Sequence, residues 1–383
     1  MRSKLPDVET TIFTVMSRRA AQTGALNIGQ GFPDYPIDPD LAACATQAMQ
    51  EGRNQYAPME GVLELREGIA EKLRATQGVA VDPVNEITLS CGGTEALFSA
   101  IQAFVSSGDN VVVFDPAYDA YEPAVRLAGG ECRRIPLAPP DFRIDWQRVA
   151  DTMDDRTRLV ILNNPHNPAC TIATRDDLEQ LAQLLRVRDC RVLADEVYEH
   201  VVFDGRQHLS VLAHPELRHC SLAVFSFGKT LHVTGWRVGY CVASAALTRE
   251  FRKVHQFNTF SIVAPLQYGI AAYLRQKPSS WQDLSGFFQK KRDLLRAALQ
   301  GSGFNLPAAQ GSYFQLLDYS ALSRESDVDF ADRLIREARL APIPMSPFYR
   351  ERPHMTLLRL CIAKRDATLL DAAGRLRSFA AAI

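Results

Sequence analysis

The sequence has no marked excess of charge of either sign. Its 383 residues include 43 basic and 44 acidic side chains and carry a formal net charge of −1. This balance gives no electrostatic reason to expect a nucleic acid or an anionic membrane as a partner. No apolar run approaches the ~20 residues of a membrane span, and the N-terminal stretch has no apolar signal core. These absences favour a small metabolite as the ligand and predict a cytoplasmic protein.

The sequence also has no C-x-x-C pair among its eight cysteines. Most of them lie inside apolar runs, which predicts reduced and mostly buried core thiols. Neither a zinc site nor a disulfide framework is indicated, and no metal is expected. The cysteines are Cys44, Cys91, Cys132, Cys170, Cys190, Cys220, Cys241 and Cys361.

The length of the chain exceeds that of one ordinary compact core and predicts two domains, or one large α/β domain with a smaller appendage. From about residue 84, short apolar runs such as NVVVFD, RLVILN and CRVLAD alternate with helical stretches. Strands that are apolar on both faces and separated by helices predict a mostly parallel sheet sandwiched by helices. We therefore expect an α/β fold with a large domain at residues 40–270 and a smaller α+β domain formed by residues 1–39 and 271–383.

Lys229 lies in an unusual stretch for a lysine. It follows the apolar run LAVFSFG, and Arg237 comes eight residues later. This pattern is typical of a buried strand that ends in a tight turn, with an amine and a guanidinium directed to one place. Burial and a nearby cation both favour the neutral amine that attacks a carbonyl, which suits a Schiff-base lysine beside an anion clamp. Pyridoxal 5'-phosphate (PLP) is the obvious phosphorylated aldehyde, although a solvated loop lysine explains this short pattern equally well.

Other stretches could complete such a site. SCGGTEAL passes from a strand into a helix, so Gly93 and Thr94 would lie at a helix N-terminus that favours a phosphate; a plain Gly-Gly turn is the alternative. Tyr118 follows the next strand and could stack on a ring, although an aromatic residue there more often belongs to the core. Asp195 follows the apolar run RVLA 34 residues before Lys229, and both should emerge at one sheet edge. A protonated pyridine nitrogen would compensate this carboxylate.

Taken together, five motifs resemble those of the PLP-dependent aminotransferases of fold type I, class I/II. The motifs are GGTEAL, DPAYDAYEP, NNPHNP, DEVYEH and SFGKTxxxTGWRVGY, in the order and spacing of that family. The resemblance extends from GQGFPD to LLRLCIA, over nearly the whole chain. It is closest to the methionine aminotransferase and kynurenine aminotransferase (glutamine transaminase K) branch, through KLP…TTIF, GQGFPD, NQYAP and DPAYDAYEPA.

The resemblance implies a homodimer with shared active sites that binds PLP, and it implies a role for each motif residue. Lys229 would hold the cofactor and move a proton between the substrate Cα and the cofactor C4′. Asp195 would pair with the pyridine nitrogen, and Arg359 would bind the substrate α-carboxylate. The remaining implied contacts are to the phenolic oxygen (Asn167, Tyr198), the ring face (Tyr118), the phosphate (Gly93, Thr94, Ser226, Arg237 and, from a second subunit, Tyr56) and the substrate (Gly31, Asn167, Phe13, Phe260).

Two features qualify this assignment. An arginine flanked by leucines, as Arg359 is, is best matched by a bidentate carboxylate, but an internal Asp or Glu is the alternative partner. The usual family motif N-P-T-G is replaced here by Asn167, Pro168, Ala169 and Cys170. Without the glycine we expect the turn to use another conformation, with Asn167 still in place. Cys91 and His166 are interpreted as structural.

The predicted activity is a ping-pong transfer of the amino group of methionine, or of an aromatic or other hydrophobic amino acid, to a 2-oxo acid. A PLP-dependent carbon–sulfur β-lyase acting on cystathionine or a cysteine conjugate is the main alternative, since both reactions share the same machinery up to the carbanion. A non-catalytic ligand-sensing module is a remote third interpretation.

Overall fold

The computed structural model describes residues 3–383, which form two sheets of three or more strands, a short strand pair and the helices that cover them. The strands are β1 (Leu26–Asn27), β2 (Ile87–Ser90), β3 (Asn110–Asp115), β4 (Glu131–Pro136), β5 (Thr157–Asn163), β6 (Arg191–Asp195), β7 (Ser221–Ser226), β8 (Gly239–Ala243), β9 (Phe314–Asp318), β10 (Leu340–Ala341), β11 (Ile343–Pro344) and β12 (Leu357–Cys361). The helices are α1 (Ile12–Thr23), α2 (Pro39–Gln50), α3 (Leu63–Gln77), α4 (Gly92–Phe104), α5 (Tyr121–Leu127), α6 (Trp146–Thr152), α7 (Arg175–Leu185), α8 (Phe227–Thr230), α9 (Ala245–Asn258), α10 (Ala264–Gln276), α11 (Leu284–Ala298), α12 (Asp327–Ala338) and α13 (Asp366–Ala380).

The larger sheet has seven strands in the order β2-β8-β7-β6-β5-β3-β4. The five strands from β7 to β4 are parallel, whereas β8 runs antiparallel to both of its neighbours. The prediction of a mostly parallel sheet is therefore confirmed. Because β8 reverses direction, the connection from β7 to β8 begins and ends at one edge of the sheet, so Lys229 and Arg237 both lie at that edge.

Helices cover both faces of this sheet, and β3 shows how the sequence produces the two layers. Every residue of β3 is buried. Val111 and Val113 pack into one apolar cluster, which includes residues of α4, α5 and α9, whereas Val112 and Phe114 pack into the other. Since successive side chains of a strand point to opposite faces, a strand buried on both faces reads as one continuous apolar run.

A smaller unit combines the two ends of the chain. The antiparallel sheet β11-β12-β9 forms its core, and β1 pairs in parallel with β10 through Leu26 and Leu340. The predicted boundary at residue 270 falls inside α10, which packs against α2 and α3. The division into residues 40–270 and the remainder therefore stays a prediction.

Two further observations concern the composition. Six of the eight cysteines are buried, while Cys91 and Cys220 are partly exposed, in agreement with the burial expected from their apolar surroundings. Among residues 3–383, no helix combines the length and the apolar character needed to cross a membrane.

Candidate active site

A cleft of about 270 Å³ opens at the carboxyl edge of the seven-stranded sheet. It brings together all of the site residues expected from the sequence except two. A larger groove, of about 920 Å³, lies along β4 and residues 349–357 but contains none of them. The residues that line the cleft are Phe13, Gln30, Gly31, Gly93, Thr94, Leu97, Tyr118, Asn163, Asn167, Asp195, Val197, Tyr198, Ser226, Lys229, Arg237, Phe314 and Arg359.

The topology explains why these residues meet. Tyr118 follows β3, Asn163 ends β5, Asp195 ends β6 and Ser226 ends β7. Parallel strands present their carboxyl ends at the same edge, which is where α/β proteins bind ligands. Residues far apart in the sequence are therefore neighbours in the cleft.

Lys229 lies on the short helix α8, immediately after β7. Its Nζ donates a hydrogen bond of 3.0 Å to the backbone oxygen of Gly31 and lies 5.4 Å from the centroid of the Tyr198 ring. Burial lowers the pKa of Lys229 to about 8, and the positive charges of Arg359 and Arg237 act in the same direction. The neutral, nucleophilic form of this amine is therefore far more populated near neutral pH than that of an ordinary lysine.

Asp195 is buried at the end of β6. Its carboxylate accepts a hydrogen bond of 2.6 Å from the Tyr121 hydroxyl and a weaker one of 3.5 Å from the Val197 N–H. Burial raises the pKa of Asp195 to about 6 despite these bonds. Among the residues that the structure describes, no cationic side chain forms an ion pair with it within 4.0 Å, so a cationic ligand atom would be its natural partner.

The opposite end of the cleft is suited to an anion. Gly93 and Thr94 lie in the first turn of α4, whose leading N–H groups have no carbonyl one turn earlier to bond. The exposed guanidinium of Arg237 lies directly against Gly92, where a Cβ atom would be 2.4 Å from its Nη2 atom. Within residues 3–383 Arg237 forms no ion pair, and its Nη1 donates only to the Thr234 oxygen at 3.2 Å. Ser226, at the end of β7, lines the same cleft.

Arg359 on β12 is 1% exposed. Its Nη1 donates to Asn167 Oδ1 at 2.6 Å and its Nη2 donates to the Gly29 oxygen at 2.8 Å, while its Nε has no partner in the described part of the chain. No Asp or Glu of the described residues lies within 4.0 Å, so the internal ion pair considered from the sequence is not formed. Burial lowers the pKa of Arg359 to about 10, and a carboxylate would restore the lost solvation of its charge.

The turn that carries Asn167 corrects one expectation. Cys170 replaces the usual glycine but has φ +63°, in the left-handed region that favours glycine. The prediction that the turn must avoid such a conformation is therefore wrong. The Cys170 backbone is fixed from both sides, because its N–H donates to the His166 oxygen at 3.0 Å and its oxygen accepts from the Gln310 N–H at 2.8 Å. These bonds offset the strain of a side chain at positive φ.

Tyr56 and Phe260 lie outside the cleft of their own chain. They are 83% and 55% exposed, and their rings contact each other edge to face at 5.3 Å. The other twelve predicted site residues line the cleft, and these two lie apart from them.

The sequence reasoning missed several residues of the site. Tyr121 is the hydrogen-bond donor to Asp195, and it lies three residues after Tyr118 in the same motif, so one helical turn was an available signal. Asn163 donates to the Asp195 backbone oxygen at 2.9 Å and accepts from the Asn167 N–H at 2.7 Å. Phe314, whose ring centroid lies 3.7 Å from the Arg359 Cζ atom, had no local signal.

Comparison with known proteins adds independent support. A family described as aminotransferase class I and II matches residues 23–376. A methionine aminotransferase of Escherichia coli K12 is 48% identical over 376 residues, which cover 98% of this chain and 97% of that protein. The human kynurenine–oxoglutarate transaminase 1 is 30% identical over 412 residues and is covered to 97%. A solved Escherichia coli structure described as having a methionine aminotransferase function superimposes with a TM-score of 0.96 over 99% of both chains, and the N-succinyldiaminopimelate aminotransferase of Mycobacterium tuberculosis superimposes with 0.95 at 33% identity.

Proposed function

Since the chain belongs to the class I and II aminotransferases, we propose that it is a PLP-dependent homodimer that transfers the amino group of methionine, or of an aromatic or other hydrophobic amino acid, to a 2-oxo acid. Its architecture is that of the fold type I enzymes. The observation that carries the proposal is the set of unmatched groups in one cleft. These are a lysine with a lowered pKa, a buried carboxylate and a buried arginine that form no ion pair with the described residues, and a helix N-terminus beside Arg237 that suits an anion.

PLP fits these groups one by one. Lys229 would hold it covalently, Asp195 would accept a hydrogen bond from its ring nitrogen, and Arg237 would bind its phosphate. When bound, PLP withdraws electrons from the substrate and stabilises negative charge at the substrate Cα. The remaining residues proposed to contact it are Gly93, Thr94, Ser226, Tyr118, Asn167 and Tyr198.

The chain itself supplies the positioning and the proton transfer. Arg359 would bind the α-carboxylate of the amino acid through its free Nε and so orient the Cα–H bond toward the cleft. Lys229 would take the proton from the substrate Cα and return it to the neighbouring carbon of the cofactor, since a group with a pKa near the working pH can act both as base and as acid. Asp195 would keep the ring nitrogen protonated.

The lining of the cleft favours an apolar donor. Lys229, Arg237 and Arg359 are the cations among the described lining residues, and each already has a proposed role. No lining cation of this chain is left for a second substrate carboxylate. The ring centroids of Phe13 and Phe314 lie 5.0 and 3.7 Å from the Arg359 Cζ atom. Thioether and aromatic side chains make favourable contacts with such rings.

Tyr56 and Phe260 provide the argument for a homodimer. They are large, exposed and in contact with each other, and neighbouring Phe257 is 86% exposed. Aromatic side chains grouped on a surface mark interaction sites. We propose that this surface contacts a second copy, with Tyr56 at the phosphate and Phe260 at the substrate of that copy.

We further propose that the protein is cytoplasmic.

The proposed activity can be tested with the purified protein, PLP, methionine and a 2-oxo acid acceptor. We expect visible absorbance from the bound cofactor, loss of that absorbance on adding methionine, and formation of the 2-oxo acid of methionine that depends on the acceptor. Pyruvate and ammonia released from cystathionine without any acceptor would indicate the lyase instead. A protein that binds no PLP would contradict the proposal.

The lowered pKa of Lys229 predicts how fast the apoprotein binds PLP at different pH values. The neutral amine reacts, and its fraction falls about tenfold per pH unit below the pKa. Covalent attachment should therefore be nearly independent of pH above about 8 and slow progressively below it. The rate can be followed by reduction with borohydride and mass spectrometry of the Lys229 peptide, with the peptide of exposed Lys253 as the background. A rate that keeps rising tenfold per unit up to about pH 10 would show that burial does not perturb this amine.

A further inference from the structure

A fully buried histidine joins the proposed phosphate-binding helix to the loop that carries Tyr56. His255, on α9, is 0% exposed. Its Nδ1 lies 3.0 Å from Glu95 Oε1 and its Nε2 lies 3.2 Å from the backbone oxygen of Met59. Its ring stacks on Phe251, with centroids 5.7 Å apart. Both ring nitrogens thus face oxygen acceptors.

Glu95 is ionised in this arrangement. Its carboxylate also accepts hydrogen bonds from the Ser99 hydroxyl at 2.6 Å and from the Cys91 N–H at 3.1 Å. Burial alone would raise the pKa of Glu95, but the hydrogen bond and charge of His255, together with these two donors, leave it lowered. The two ring nitrogens of His255 thus connect the Glu95 carboxylate with the Met59 backbone oxygen.

The two residues that His255 connects, Glu95 and Met59, lie on elements with different tasks. Glu95 lies in the first turn of α4, directly after Gly93 and Thr94 of the anion site. Met59 lies in the loop that carries exposed Tyr56, and the Ser261 hydroxyl holds the same loop by donating to the Ala57 oxygen at 2.9 Å. In the proposed homodimer, α4 serves the cleft of its own chain, whereas Tyr56 serves the cleft of the other chain.

We propose that His255 is a positioning residue that fixes the Tyr56 loop on the N-terminal turn of α4 and thereby couples the phosphate sites of the two subunits. This inference rests on the proposed function. His255 contacts neither cofactor nor substrate. It acts by restricting where the Tyr56 hydroxyl can lie, and a hydroxyl that is held in place binds a phosphate with less loss of conformational entropy.

The test is the equilibrium dissociation constant of PLP, measured by absorbance titration of the dimeric apoprotein for the wild type, His255→Gln, Tyr56→Phe and the double variant. Glutamine carries both of its N–H groups on one nitrogen and cannot reproduce contacts made by two separate ring nitrogens, so His255→Gln should weaken binding about tenfold. His255→Gln is expected to weaken PLP binding only by releasing the Tyr56 hydroxyl from its position. The double variant, which has no such hydroxyl, should therefore bind PLP about as weakly as Tyr56→Phe alone. His219→Gln, at an exposed histidine, should bind like the wild type.

Two results would overturn the inference: unchanged PLP binding by His255→Gln, or losses that add fully in the double variant. If His255→Gln does not fold, Glu95→Gln replaces it as the test. Removing a negative charge beside the phosphate would by itself strengthen binding, so weaker binding by Glu95→Gln supports the positioning role, and stronger binding contradicts it. A wild-type protein that binds no PLP would instead refute the proposed function, which keeps the two failures distinguishable.

Discussion

Replacing Lys229 with alanine is expected to lower kcat for transamination by about 10⁴-fold, the upper end of what a positioned general acid–base contributes. The cleft offers no second amine for the task, since Arg237 and Arg359 are the other cations among its described lining residues and guanidinium groups stay protonated. Tyr198 cannot replace it, because burial raises the pKa of its hydroxyl well above the ordinary value. PLP should still bind, through the anion site and Asp195, but without a covalent link.

The same variant should fold at least as stably as the wild-type apoprotein. The lowered pKa of Lys229 shows that burial destabilises its charged form, so removing the side chain relieves an unfavourable desolvation. Steady-state kinetics, absorbance spectra and thermal unfolding would measure these effects, with Lys253→Ala, at an exposed lysine, as the matched control. A Lys229→Ala enzyme that keeps more than about a hundredth of the wild-type kcat would assign the proton transfer to another group.

Replacing Arg359 with alanine is expected to raise KM for every amino acid donor by a similar factor. Loss of one partner from a buried, hydrogen-bonded charge pair costs about 2–4 kcal/mol, which corresponds to a rise of roughly 30- to 1000-fold. The α-carboxylate is common to all donors, so the ratio of kcat/KM between methionine and phenylalanine should stay almost constant. Steady-state kinetics with several donors would measure both quantities.

Two further variants sharpen this experiment. Arg359→Lys keeps the positive charge but loses the planar pair of donors, so its KM should lie between those of the wild type and Arg359→Ala. Arg375→Ala removes an arginine whose Nε pairs with Asp371 at 2.9 Å on the surface of α13 and should leave the kinetics unchanged. A loss confined to one class of donors would instead assign Arg359 to recognition of the substrate side chain.

The apolar runs NVVVFD, RLVILN and CRVLAD match β3, β5 and β6 to within one residue at each end, because such boundaries depend on local signals. Helix α3 (Leu63–Gln77) ends at Gly78 with φ +67°, a conformation typical of a glycine C-cap. The helix expected after SC begins at Gly92, which has φ +73°. Both features follow from glycine, the residue that reaches positive φ most readily.

Where a long-range contact overrides local preference, the backbone conformation could not be predicted from the sequence. Cys170 takes a positive φ because backbone groups of His166 and Gln310 hold it there, and Gln310 is 140 residues away in the chain. The reversal at β8 depends on pairing with β2 and β7 together. The placement of Tyr56 at a second subunit stays a prediction, as does the contact of Phe260 with the substrate.

The family, the type of fold and the chemical character of the site follow from local patterns in the sequence. Its functional residues follow apolar runs, and parallel strands bring their carboxyl ends to one edge. The pKa values of the site and the partners of its charged groups depend instead on long-range packing. The pKa of Lys229 depends on burial, Arg359 bonds to a backbone oxygen 330 residues away, and His255 meets Glu95 across 160 residues. Desolvation and hydrogen bonding act through distances in space, which no local pattern of residues specifies.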